Sequence, residues 1–188
     1  MTSFDIHAAR ETIERFDPAG VASYEQAKAA ILALLRDVES PTARTTYEPG
    51  HLTASAIVLS PDRSHLLLVH HKRLGRWLQP GGHLEASDAT LEAAARREVL
   101  EEASILVAED GSIGCIGIDV HEIPAARGEP AHLHHDVLFA FLAPSLDIQV
   151  SAESHAVAWV HHDAFAAYEP DAALARTAQR AFERLGRA

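Results

Sequence analysis

The sequence is poor in the residues that mark several large protein classes. A single cysteine, Cys115, stands in 188 residues, which excludes an internal disulfide framework. No uninterrupted apolar run approaches the ~18 residues that a membrane-spanning helix needs. Positive charge is scarce as well: 16 Lys and Arg face 27 Asp and Glu, a formal net charge of -11. Binding to nucleic-acid polymers or to anionic membranes relies on clustered Lys and Arg, so neither partner is expected. The remaining expectation is a small-molecule ligand, and an anionic one needs a cation as mediator. The opening stretch MTSFDIHAARETIERF carries charges where a signal peptide would hold its apolar core, so a cytoplasmic protein is expected. Internal repeats and low-complexity tracts are lacking too.

What is present suits one domain with a sizeable core: 47% of residues are hydrophobic and 23% charged, and this length buries enough apolar surface for a single globular unit. Residues 4–38 are rich in Ala, Glu and Lys, with apolar residues at Ile31, Leu32, Leu34 and Leu35 and a break near Pro18 and Gly20. They predict a helical arm, and the organisation expected is an N-terminal helical extension over residues 1–45 followed by a domain over 46–188. The arm offers a surface for a homodimer. Beyond Pro41, residues 52–59 and 65–69 read as strands joined by the turn Ser60-Pro61-Asp62-Arg63. Trp77-Leu78-Gln79-Pro80-Gly81-Gly82 predicts an extended segment ending in a glycine loop, Thr90 to Ala103 a helix, and 113–122, 133–142 and 156–160 further strands. Helical segments near 162–168 and 171–186 close the chain, and the whole implies an α/β layered fold with a mixed sheet.

The helix in the middle gathers three carboxylates. At about 100° per residue, with Leu91 at zero, Ala95 falls at about 40°, Ala94 at about -60° and Val99 at about 80°, which defines the inward face. Glu98 at about -20° and Glu102 at about 20° continue that face, with Glu101 about 60° beyond Glu98. Burying ionised carboxylates without partners costs several kcal/mol each, roughly, so such a face needs a cation or a wet cleft. A Glu-rich helix is more often a solvated surface, but the preceding Gly81-Gly82 permits close backbone approach, and a carbonyl there can join a metal shell. Clustered carboxylate oxygens suit Mg²⁺, with Mn²⁺ as the alternative.

Gly82, five residues, Asp88, eight residues, then Arg97-Glu98-Val99-Leu100-Glu101-Glu102-Ala103-Ser104-Ile105 resembles the Nudix box: Gly, five residues, Glu, seven residues, Arg-Glu-aliphatic-any-Glu-Glu-any-Gly-aliphatic. The resemblance implies an α/β/α sandwich and Mg²⁺-dependent hydrolysis of a nucleoside diphosphate derivative or a related organic pyrophosphate. It also implies that Gly82, Glu98, Glu101 and Glu102 hold the metal and that Arg97 orients a neighbouring carboxylate. The general base is then a box glutamate, Glu98 first, or Glu153 in the loop Ser151-Ala152-Glu153-Ser154. Two departures stand out. Counting forward from Gly82 puts the first acid of the box at Asp88, whereas counting back from Arg97 puts it at Ala89; one extra residue sits in the loop, with Thr90 as the expected helix N-cap. Asp88 is either the functional match or a polar loop residue near the helix N-terminus. Ser104 stands where the family has Gly, which in a left-handed helix exit costs roughly 1 kcal/mol.

Substrate contacts lie outside the box. Arg76, with His71, Lys72 and Arg73, brings positive charge near the glycine loop, and His83 lies within it. Trp77, Phe139, Phe141 and Trp159 are either stacking surfaces for a base or core aromatics. Thirteen histidines raise a rival reading. On a strand, His132, His134 and Asp136 share a face and could form a transition-metal site, although their spacing matches no common zinc motif; His134 is otherwise a candidate substrate contact. Two other functions stay open: a non-catalytic nucleotide-sensing or interaction module on the same fold, and an enzyme like the isopentenyl diphosphate isomerases, whose Cys- and Glu-containing pattern is missing.

Overall fold

The computed structural model describes residues 4–72, 74–126, 128–150 and 154–185. Helix α1 (Ile6–Arg15) starts where the Asp5 carboxylate accepts from the backbone N–H of His7 (3.0 Å) and Ala8 (2.9 Å), satisfying two of the donors that a helix start leaves open. Helix α2 (Ala22–Asp37) follows after the break at Pro18 and Gly20. Strands β1 (His51–Leu59) and β2 (His65–His71) form the hairpin, and two short strands follow, β3 (Arg76–Leu78) and β4 (Gly81–His83). Helix α3 (Leu91–Ala103), β5 (Ser112–Ile123), β6 (His132–Leu142), β7 (Ser154–His161) and α4 (Ala172–Arg184) complete the regular structure. A 3-10 helix spans His162–Tyr168, where the sequence suggested an ordinary helix. The segment expected to end in a glycine loop instead makes a short strand pairing with β1, because the paired glycines fit an extended, closely packed backbone.

The seven strands are hydrogen-bonded in the order β3-β2-β1-β6-β5, with β4 on β1 and β7 on β2. Strand β7 runs antiparallel to β2 from His65↔His161 to His71↔Ser154, with a register shift at His70/His71. By its internal contacts the chain forms two compact units, Met1–Ala54 with Gly82–Ala94 and Gly117–Val137, and Ser55–Gly81 with Ala95–Ile116 and Leu138–Ala188.

In the first unit, α1 and α2 bury Ile13, Tyr24, Ile31 and Leu34, and the Phe16 and Tyr24 rings meet edge to face at 5.2 Å. Lys28 donates to the carbonyls of Glu14 (2.8 Å) and Phe16 (2.7 Å), capping carbonyls that the end of α1 leaves open. Gly50, at φ +121°, brings β1 against β6: a Cβ there would stand 2.1 Å from the Leu133 carbonyl oxygen. Nearby, Thr53 donates to Asp136 at 2.9 Å.

In the second unit, Ile57, Leu59, Leu66, Leu68, Ile116, Leu138, Ala140 and Val160 pack with Leu174, Ala178 and Ala181 of α4. Those three α4 positions follow the helical period, so one stripe faces the sheet. Asp171 caps the helix by accepting from Leu174 N–H at 2.9 Å.

Candidate active site

The site starts from α3. Thr90 caps it, its hydroxyl accepting from Ala93 N–H at 3.1 Å. Leu91, Ala94, Ala95, Val99 and Ala103 are buried, as the wheel requires. Glu102 continues that face and is only 6% exposed. Its carboxylate accepts from the backbone N–H of Gly81 at 3.0 Å. The glycine is needed there for space, since a Cβ would fall 2.2 Å from Ser55 Oγ. One carboxylate of a buried helix face is thus fixed by a main-chain donor, a charge-assisted bond that offsets part of its desolvation.

Glu98 lies one turn earlier with its side chain 12% exposed, and Glu101 on the flank is 52% exposed. Between them Arg97 donates from one nitrogen to Glu98 Oε1 (2.9 Å) and to Glu101 Oε2 (2.9 Å). Arg96 turns away, donating to the carbonyls of Val107 (3.0 Å) and Ala108 (2.6 Å) and lying 4.8 Å over the Phe141 ring. The helix leaves through Ser104 at φ 57°, the left-handed exit for which the family uses glycine. Ser104 N–H donates back to Leu100 (2.9 Å), and the Ala103 carbonyl accepts from Gln149 (3.1 Å).

Glu98, Glu101 and Glu102 bring three formal negative charges to this face and Arg97 one positive charge, and the carboxylates offer hard oxygen donors. That donor set fits Mg²⁺ or Mn²⁺. Gly82 follows Gly81 directly in β4. Asp88 is buried, and its carboxylate accepts from Glu85 N–H at 2.8 Å, so it tightens the loop ahead of α3. Glu153 and Arg73 lie outside the described residues.

The other expected contacts fall into two groups. In the second unit, Arg76 stands 3.5 Å from Asp171, and Trp77 packs against Tyr168 (5.2 Å) and His70 (5.1 Å). Phe139 and Phe141 are core residues, and Trp159 donates from its indole to Leu146 O at 3.0 Å. In the first unit, the rings of His83 and His134 meet at 5.0 Å. Burial, and then the neighbouring His51, lower the His83 pKa to about 4, so the ring is neutral at pH 7.

A family model, the NUDIX domain, matches residues 49–182. The chain belongs to the Nudix family. Solved Nudix structures share the fold at low identity. The NUDIX domain of Shewanella oneidensis NrtR complexed with ADP ribose is 23% identical, with TM-score 0.57 over 72% of this chain and 88% of that one. A NUDIX-family hydrolase from Clostridium perfringens is 19% identical, with TM-score 0.56 over 72% and 98%. A C. elegans Ap4A hydrolase, solved as a binary complex, is 20% identical, with TM-score 0.51 over 71% and 96%. No curated protein matches. The α/β/α Nudix sandwich with a mixed sheet, expected from the sequence, is therefore the fold of this chain.

Sequence reasoning overlooked two parts of these groupings: the Gly81 N–H that holds Glu102, and His51, which joins His83 and His134. A signal for the second is present in β1, where His51, Thr53 and Ser55 alternate with apolar residues yet are all buried. Polar groups at a two-residue period on a buried strand mark one face that serves something other than core packing.

Proposed function

We propose that the chain is an Mg²⁺-dependent hydrolase that cleaves a diphosphate linkage in a nucleoside diphosphate derivative or a related organic pyrophosphate. Residues 46–188 are the hydrolytic domain and residues 1–45 a helical extension. One observation carries the reading: Glu98 and Glu102, both largely buried, sit one turn apart on a helix face otherwise made of core residues. A purely structural role would leave that acidic face expensive and without a purpose.

Glu98, Glu101 and Glu102 would hold the ion. Bound there, Mg²⁺ would supply charge neutralisation at the diphosphate oxygens and a water of lowered pKa for in-line attack on phosphorus. The chain's own groups do the rest. Gly81 N–H fixes the rotamer of Glu102, and Arg97 holds Glu98 and Glu101 aligned through its shared nitrogen. Glu98 takes the proton of the attacking water, with Glu153 as the alternative base. Arg76, whose exposed 3.5 Å pairing with Asp171 contributes little, is available to a substrate phosphate. Trp77 supplies an aromatic edge beside it.

The decisive experiment incubates the full chain with Mg²⁺ in ¹⁸O-labelled water and a panel led by ADP-ribose and Ap4A. Cleavage that EDTA abolishes and that places ¹⁸O on a phosphate product is expected. No turnover anywhere on the panel, with Mg²⁺ or Mn²⁺, would refute the hydrolase reading. The ADP ribose complex of the NrtR domain motivates one rival, a ligand-binding module; tight binding of a panel member without product would select it.

A further inference from the structure

Three histidines from two neighbouring strands converge in the first unit. His51 opens β1, while His132 and His134 lie two residues apart on β6, and one ring nitrogen of each falls within 4.8 Å of the other two. The rings are 5.1 Å (His51–His132), 4.9 Å (His51–His134) and 5.2 Å (His132–His134) apart between centroids. The contact of Gly50 with Leu133 and the Thr53–Asp136 hydrogen bond fix the two strands at this point. Asp136, which the strand period places on the same face, is engaged by Thr53 and stands outside the trio.

The hydrogen bonds set the chemistry of the rings. His51 Nδ1 lies 3.1 Å from the Thr46 carbonyl, and His132 Nδ1 lies 2.8 Å from the Pro130 carbonyl. A carbonyl only accepts, so each Nδ1 carries a proton, and Nε2 is the ring nitrogen left to act as a ligand. His51 is 0% exposed, and the Nε2 atoms of both His51 and His134 are buried without a hydrogen-bond partner. Buried polar atoms are almost always satisfied, so two such nitrogens in one cluster call for a missing partner. A backbone carbonyl holding Nδ1–H is also the arrangement that orients metal-ligating histidines and raises their basicity.

We propose that His51, His132 and His134 bind a borderline divalent transition-metal ion, Zn²⁺ first, in a three-histidine site separate in chemistry from the carboxylates of α3. Three imidazole nitrogens at about 2.0–2.1 Å form a catalytic-type zinc shell with one position open to water or to an oxygen of a ligand. The His83 ring lies beside two of the three, 5.1 Å from His51 and 5.0 Å from His134 between centroids. His134 is thereby reassigned from substrate contact to metal ligand. This proposal is independent of the hydrolase reading, since it concerns nitrogen donors that the carboxylate chemistry does not use.

The test is metal uptake by the full, metal-stripped chain. Wild type should bind one equivalent of Zn²⁺, and Co²⁺ in its place should give the intense visible absorption of a nitrogen-ligated, four-coordinate ion. His132→Asn and His134→Asn should weaken Zn²⁺ binding at least tenfold while Glu102→Gln leaves it unchanged. In ¹⁵N-histidine-labelled wild type, substoichiometric Zn²⁺ should shift the ring nitrogens of His51, His132 and His134; this readout stands even if a variant fails to fold. Absence of stoichiometric Zn²⁺ uptake by wild type would overturn the proposal. So would ring shifts confined to other histidines, or Zn²⁺ binding lost in Glu102→Gln but kept in both Asn variants.

Discussion

The carboxylate face of α3 and the histidine cluster of β1 and β6 solve opposite problems. On α3 the groups are charged, and each buried carboxylate already has a protein donor: Gly81 N–H for Glu102, Arg97 for Glu98. In the cluster the groups are imidazoles, and nitrogens of His51 and His134 stay buried without partners. Charge forces compensation inside the protein even without an ion, whereas an unpartnered ring nitrogen can wait unsatisfied at a cost of about 1–3 kcal/mol. The difference predicts hard, oxygen-loving Mg²⁺ at the first and a nitrogen-loving ion at the second.

The contrast is broken most severely at Glu102. Glu102→Gln keeps the shape and an acceptor for Gly81 N–H but removes the charge, and hydrolysis should fall by roughly three orders of magnitude, since metal-borne charge stabilisation is worth several kcal/mol. Steady-state kinetics under saturating Mg²⁺ checks it, with circular dichroism confirming the fold. Arg97→Ala removes the shared donor of Glu98 and Glu101 and should lower kcat by about 10–100-fold, as losses of residues that orient metal ligands do. Arg97→Lys, able to reach only part of that geometry, should fall between.

On the histidine side, Gly50→Ala puts a Cβ at 2.1 Å from Leu133 O with φ +121°, and should destabilise the chain by about 1–3 kcal/mol. Urea unfolding measures this. The pH response carries a sign. The folded pKa of His83, about 4, lies below the ordinary 6.5, so between those values the unfolded chain binds more protons than the folded one. Stability should be complete above pH 6.5 and decline as pH falls toward 4. Urea midpoints flat between pH 7 and pH 5 would contradict the burial of the cluster. The smallest effect is at the helix exit: Ser104→Gly relieves a left-handed residue at φ 57° and should stabilise by up to about 1 kcal/mol.

Much of the carboxylate region was legible from sequence because its information is local. A helix has a fixed angular period, so Leu91, Ala95, Val99, Glu98 and Glu102 could be assigned to one face without knowing what it packs on. The Thr90 cap and the left-handed Ser104 are equally local signals. The histidine trio was only half legible. His132 and His134 share a strand, and their common face follows from the two-residue period, but that rule offered Asp136 as the third member. The third member is His51, some eighty residues earlier, and only the pairing of β1 with β6 brings it there. Pairing between distant strands is set by tertiary packing, as is the contact of Gly81 with Ser55 that fixes Glu102. Phe139 and Phe141 show the same limit, since an apolar run on a strand gives burial without revealing what occupies the other face.

The carboxylate assignment is tested most directly by the rate of Mg²⁺-dependent cleavage of a nucleoside diphosphate derivative, measured for wild type and Glu102→Gln in parallel. Turnover by wild type that is abolished by EDTA and reduced about a thousandfold in a folded Glu102→Gln is the result expected. Equal rates in the two proteins would show that the acidic face of α3 does not carry the reaction.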